Sequence, residues 1–159
     1  MIRFVSQQSD HDYYLSFDPA LVQRPADEEG AKDYDAKLTA ARKTSNYAPL
    51  IVEGQTPTKF VLGQVDPATF RAVLDRISLG ASEPRRIGPY ALQRLMFRLA
   101  IREIPSLGAR IEYKRDPEWD GWKMAPAELA DQMDATHPLI VAEIGNYVFY
   151  RAQEVDPLV

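Results

Sequence analysis

Residues 58–65, TKFVLGQV, run without a break into DPATFRAVLDRISLG. This junction constrains the chain most. The first run is rich in β-formers and is entered through Pro57. Asp66 then supplies a capping carboxylate, Pro67 suits a first helical turn, and Gly80 ends the helix. Phe70, Val73, Leu74 and Ile77 follow at i, i+3, i+4 and i+7, so the helix presents one apolar stripe. A strand and a helix joined this closely must bury their apolar faces against one core. A purely helical or purely β protein is therefore excluded.

The other elements follow from similar local signals. Residues 2–5 and 13–17 are short β-rich runs joined by a polar stretch, which predicts an N-terminal hairpin ended by Asp18-Pro19. Residues 24–46 are highly charged, and only Tyr34, Leu38 and Ala41 mark an apolar face, so they form a weak helix that something else must hold. Residues 89–104, PYALQRLMFRLAIREI, predict the most apolar helix, ended by Pro105. On its polar side Arg94, Arg98 and Arg102 are spaced i, i+4, i+8. Residues 109–114 alternate like a strand. Pro126 opens a short helix, and residues 138–153 form the last, with Leu139, Ile140, Ile144, Tyr147 and Val148 inward and Gly145 allowing close approach.

Trp119 and Trp122, both tryptophans of the chain, flank Asp120-Gly121. Asp-Gly between two β-formers signals a tight turn with positive φ, which would make the pair a cross-strand closure. The alternative is an exposed aromatic contact site. The expected fold is one compact α+β domain, mostly helical, with short N-terminal and central hairpins. Its core joins Phe60, Leu62, Phe70, Leu74, Leu95, Met96, Leu99, Ile144 and Val148. Residues 1–46 form a hairpin and a charged segment that depends on a partner, and 47–159 form the globular part.

Chemistry is hard to place on this chain. With no cysteine, disulfides, thiolate metal sites and cysteine nucleophiles are excluded. Neither His11 nor His137 lies near a Gly-x-Ser-x-Gly elbow, and no phosphate-binding glycine pattern is present. Asp10-His11-Asp12 groups three potential ligands, but adjacent residues on an extended chain point to alternate sides, so a solvated loop is expected and no metal or cofactor. No run approaches the length of a membrane helix or of a signal-peptide core, so a soluble protein made in the cytoplasm is expected.

The net charge of −4 conceals an asymmetry. Residues 85–115 hold eight basic and two acidic side chains, and residues 116–159 hold nine acidic and two basic, so the blocks are +6 and −7. They attract each other within one molecule or between copies. The overall negative charge and lack of a recognised module argue against nucleic acid as a partner.

The order of features resembles the small proteins of tailed bacteriophages that are encoded among the particle-assembly genes, including tail assembly chaperone-like proteins. A hairpin ending in Asp18-Pro19, a charged segment, T-P-T-K-F-V-L at 56–62 and a long apolar helix come first. Leu107-Gly108, a hairpin, A-P-A-E at 125–128 and P-L-I-V-A-E-I-G at 138–145 follow. The resemblance covers residues 50–150 best. It implies a non-enzymatic component of the particle (tail, baseplate or neck), made in the host cytoplasm and carried in the virion. The alternative is a tail assembly chaperone or adaptor absent from it. Partners would be other particle proteins or copies of the chain, not membranes or small molecules. The residues expected to meet them are Tyr13, Tyr14, Tyr34, Leu38, Arg94, Arg98, Arg102, Trp119 and Trp122.

Overall fold

The computed structural model describes residues 10–155. The strand–helix junction forms as its chemistry dictates. Strand β1, His11–Tyr13, pairs antiparallel with β2, Phe60–Leu62, setting Tyr13 opposite Phe60. The Asp66 carboxylate accepts the Thr69 N–H at 3.0 Å and caps the helix that begins at Pro67. The predicted first arm at 2–5 lies outside the described residues. The second arm, expected over 13–17, is shifted upstream. Beyond Tyr13 the chain turns, because the Ser16 N–H donates to Glu143 at 3.0 Å, a bond the sequence gives no sign of.

Helix α1, Glu28–Thr44, is the charged segment. Asp27 caps it, Glu28 and Glu29 occupy its first turn, and Arg42 and Lys43 its last, all in accord with the helix dipole. Its apolar face is narrow yet held from within the chain. Tyr34 and Ala41 are buried with Leu21, Tyr47 and Leu50, and Tyr14 and Leu38 pack alongside. This cluster spans the expected boundary at residue 46.

Helix α2 is Pro67–Ile77 and α3 is Pro89–Ala100. The helix expected to reach residue 104 stops four residues early. Ile101–Ile104 instead form strand β3, between β2 and the short β4, Ala109–Arg110. The residue before a proline disfavours helical angles, and β-branched Ile101 and Ile104 suit a strand that is paired on both edges. The predicted strand over 109–114 is divided: Ala109–Arg110 close the four-stranded sheet, and Lys114 opens a second one. That sheet pairs β5, Lys114–Asp116, with β6, Trp122–Met124.

Helices α4, Ala127–Thr136, and α5, Ile140–Val155, complete the chain. The Gly145 backbone sits against the Gln93 carbonyl, so α3 and α5 meet at a distance no larger residue permits. Between helices and sheet lies one core containing Tyr13, Phe60, Leu62, Phe70, Leu95, Met96, Leu99, Ile144 and Val148. Leu74 lies at its margin, partly buried. Leu139, expected inward, precedes the first turn of α5 and is 53% exposed. The protein is thus α+β, with five helices and two small antiparallel sheets among the described residues.

Candidate functional site

The tryptophans close a turn, but a longer one than Asp-Gly alone predicts. The register sets Asp116 opposite Trp122, so the loop is 117–121, with a 3-10 turn over Pro117–Trp119. Asp120 and Gly121 both have positive φ, 54° and 72°. Trp119 therefore lies on the turn and stacks on Trp122 with centroids 6.2 Å apart. The guanidinium of Arg76, from the last turn of α2, lies 5.3 Å and 5.1 Å from the two ring centroids and is ion-paired to Asp120. This residue, invisible to local pattern reading, clamps the hairpin to the body.

The expected arginine stripe does not form, because Arg102 is on β3 and the helix has already ended. Arg94 reaches Asp131 at 2.6 Å and the backbone of Ala127 on α4. Arg98 is 5% exposed, donating to Asp116 at 2.5 Å and to the Ala125 carbonyl at 2.8 Å. Burial alone would raise the Asp116 pKa, but the hydrogen bonds from Arg98 and the Glu118 N–H outweigh it and hold the carboxyl low. Arg102 donates to the carbonyls of Leu99 and Gln64 and lies over the Tyr113 ring. Three side chains expected to face a partner are thus occupied inside the chain. Arg94 and Arg98 join the basic block to the acidic one within one molecule.

The tyrosines are corrected in the same way. Tyr13 is fully buried and Tyr34 is 5% exposed, while Tyr14 and Leu38 are half-buried against the α1 cluster. Tyr13 belongs to a polar cluster between α1 and α5. Its hydroxyl donates to Glu143 at 3.0 Å and accepts from Arg42 at 2.8 Å. The Ser16 N–H and hydroxyl also donate to Glu143. Burial is the main reason the Tyr13 phenol is pushed well above its ordinary range, Tyr47 up to about 12, and Tyr147 upward. The Tyr147 hydroxyl lies 2.9 Å from His11 Nε2 and accepts from Arg151 at 2.6 Å.

Asp10-His11-Asp12 is pulled three ways: Asp10 to Arg110, His11 to Tyr147 and Asp12 to Lys59. Among the described residues, no three His, Asp or Glu side chains are placed to hold a metal ion, and no helix is long and apolar enough to cross a membrane.

The outward-facing features include two that bear exposed tyrosines. One is a cleft of about 450 Å³ between α1 and α5, lined by Arg42, Lys43, Tyr147, Tyr150, Arg151 and Glu154 among others. The other is the outer face of α3 and α5. Tyr90 is 62% exposed and Tyr150 64%. Gln93, one turn beyond Tyr90, donates to Asn146, one turn before Tyr150, at 3.2 Å. The Tyr90 hydroxyl donates to Asp134 on α4 at 2.8 Å, and Tyr150 stands at the rim of the α1–α5 cleft. Sequence reading missed both residues, since an exposed tyrosine on an amphipathic helix looks the same as a buried one. Comparison with protein-family models, curated proteins and solved structures found no match.

Proposed function

We propose that this chain is a non-enzymatic component that acts through protein–protein contacts, in keeping with its resemblance to tailed-phage particle proteins. The observation that carries the reading is the α3–α5 face, where two tyrosines stand more than half exposed beside paired Gln93 and Asn146. Tyrosine combines a large apolar area with a polar tip and few rotatable bonds, and it is enriched where proteins meet. A lone exposed aromatic is ordinary on a monomer. Two on neighbouring packed helices offer a partner aromatic contact area.

The proposed contact surface thus moves from residues 1–46 and the arginines to α3 and α5, where the rings of Tyr90 and Tyr150 are mostly exposed although the Tyr90 hydroxyl donates to Asp134. Tyr90→Ala with Tyr150→Ala is expected to leave the unfolding midpoint nearly unchanged, since both residues are mostly solvated, and to weaken association at least tenfold. Mass spectrometry of tailed particles assembled in cells carrying this chain then separates the two roles. Stoichiometric presence identifies a particle component. Absence from particles, with co-purification on unassembled tail protein, identifies the chaperone. If the double variant assembles as the parent does, and the chain accompanies neither, the reading fails.

A further inference from the structure

A second cleft, of about 600 Å³, opens where β3, the β5–β6 hairpin and the first turn of α2 meet. Arg102, Tyr113 and Lys123 line it together with Gln64, Asp66 and Thr69. Arg102 carries five N–H donors, and three have neutral partners: the carbonyls of Leu99 and Gln64 and the hydroxyl of Tyr113. That hydroxyl in turn donates to the Ile101 carbonyl at 2.9 Å. The Nε–H and one N–H of Nη2 are left without a partner among the described residues, and no carboxylate touches the guanidinium. At Gly63 a Cβ would overlap this group, so glycine is what lets Arg102 lie against the end of β2. Lys123 on β6 stands directly opposite Arg115 on β5, so both side chains share one face of the hairpin. Arg115 donates to the Gly121 carbonyl at 3.2 Å, and neither cation has an ion-pair partner among the described residues. Like charges set directly opposite destabilise a strand pair, and an anion between them removes the conflict.

Local charge selects the ligand. Both carboxylates that line the cleft are already engaged. Asp10 pairs with Arg110 at 3.3 Å, and Asp66 caps α2 through the Thr69 N–H and hydroxyl. Arg102, Lys123, Arg110 and Arg115 stand against these two, four cations to two carboxylates, a balance of +2. That matches the dianion of a phosphate monoester, and guanidinium and ammonium donors are strong partners for its oxygens. A nucleic-acid backbone offers single charges in a row instead, and the net charge of −4 on the whole chain opposes it. The remaining wall is polar. Both cap bonds fall on Asp66 Oδ2, which leaves Oδ1 to accept from a hydroxyl, and the Gln64 side chain stands exposed beside it. The volume is in the range of small-ligand sites. We propose that this cleft binds a small, hydroxylated phosphate monoester, with the phosphate on Arg102, Lys123 and Arg115 and the hydroxyls on Asp66 and Gln64. Such a site goes beyond the contact role and shares no lining residue with the Tyr90 and Tyr150 area.

The test is a titration of the full chain with glucose 6-phosphate, glucose, inorganic phosphate and a single-stranded oligonucleotide, followed by nitrogen–proton correlation NMR. Glucose 6-phosphate is expected to move the Arg102 Nε–H signal and the amide signals of Gly121 and Lys123. Inorganic phosphate is expected to move the same signals with lower affinity, and glucose to leave them in place. Lys123→Glu turns the like-charge pair into an opposite-charge one. It is therefore expected to keep or raise the melting midpoint while weakening the ester about tenfold. Lys43→Glu makes the same change of net charge on α1, away from the lining, and is expected to leave ester affinity unaltered, as is Tyr90→Ala. The inference is overturned if the ester moves none of these signals, if Lys123→Glu leaves its affinity unaltered, or if Lys43→Glu weakens it as much. It is equally overturned if inorganic phosphate binds as tightly as the ester, or if the oligonucleotide binds more tightly.

Discussion

His11 is held neutral by its surroundings. Burial, and secondarily Arg151, lower its pKa from 6.5 to about 4. An unfolded chain therefore binds a proton that the folded one refuses as pH falls from about 6.5 to about 4, and stability is lost across that window. Because the ring is only partly buried, the loss is of the order of 1 kcal/mol. His11→Gln keeps a hydrogen-bonding tip for Tyr147 and does not titrate. The difference in unfolding free energy between parent and variant is expected to shrink as pH falls through the window; a constant difference would show that His11 does not govern it. At Gly145 the argument is steric. Alanine in a helix interior ordinarily gains about 1 kcal/mol over glycine. Here its Cβ would overlap the Gln93 carbonyl, and overpacking of that kind costs about 3 kcal/mol. Gly145→Ala is thus expected to destabilise by about 2 kcal/mol net in a urea titration, and a gain would refute the contact. Arg98→Met strands a nearly buried Asp116 and the Ala125 carbonyl, for a loss of about 3–5 kcal/mol.

At the scale of elements, the β5–β6 hairpin is joined to the rest of the molecule by side chains as well as backbone. Arg76 lies over both tryptophan rings and pairs with Asp120, and Arg98 holds Asp116 at the hairpin's base. A cation on an aromatic face contributes about 0.5–2 kcal/mol according to desolvation, and the side chain of Arg76 is only 14% exposed. Arg76→Met keeps the hydrocarbon stem and removes the charge, so a loss of about 1–2 kcal/mol is expected. Trp119 and Trp122 are the only tryptophans, so emission reports on this hairpin alone. A variant with unchanged emission and unchanged unfolding midpoint would show that the clamp is incidental.

For the molecule as a whole, the N-terminal part is a structural layer. It supplies β1, which edges the four-stranded sheet, and Tyr13 and Leu15 of the main core. It also supplies Leu21, Tyr34 and Ala41 of the smaller one. Deleting residues 1–46 would uncover both clusters, at roughly 1.5–3 kcal/mol for each large side chain lost or exposed. The truncated chain is expected to lose cooperative thermal unfolding. Native-like NMR dispersion after the deletion would show that residues 47–159 fold unaided. Pairing of Arg94 and Arg98 with acidic residues on α4 and β5 likewise shows the two charge blocks settling locally.

What the amino-acid order determined by itself was local. The cap at Asp66-Pro67, the positive φ at Gly121, the apolar stripe of α2 and most of the core list all follow from interactions spanning a few residues. Backbone sterics and side-chain periodicity act on neighbours, and they read the same in any fold. Tertiary structure decided the rest. Whether residues 101–104 continue a helix or enter a sheet turned on the neighbouring strands β2 and β4. Whether a weakly apolar helix needs an outside partner turned on Leu21, Tyr47 and Leu50 arriving from either side of it. The α1–α5 cleft depends on Glu143 meeting Tyr13 and Ser16 across more than a hundred residues of chain. Such contacts are selected by which surfaces remain to be buried once every element has formed, and no short stretch of sequence contains that information.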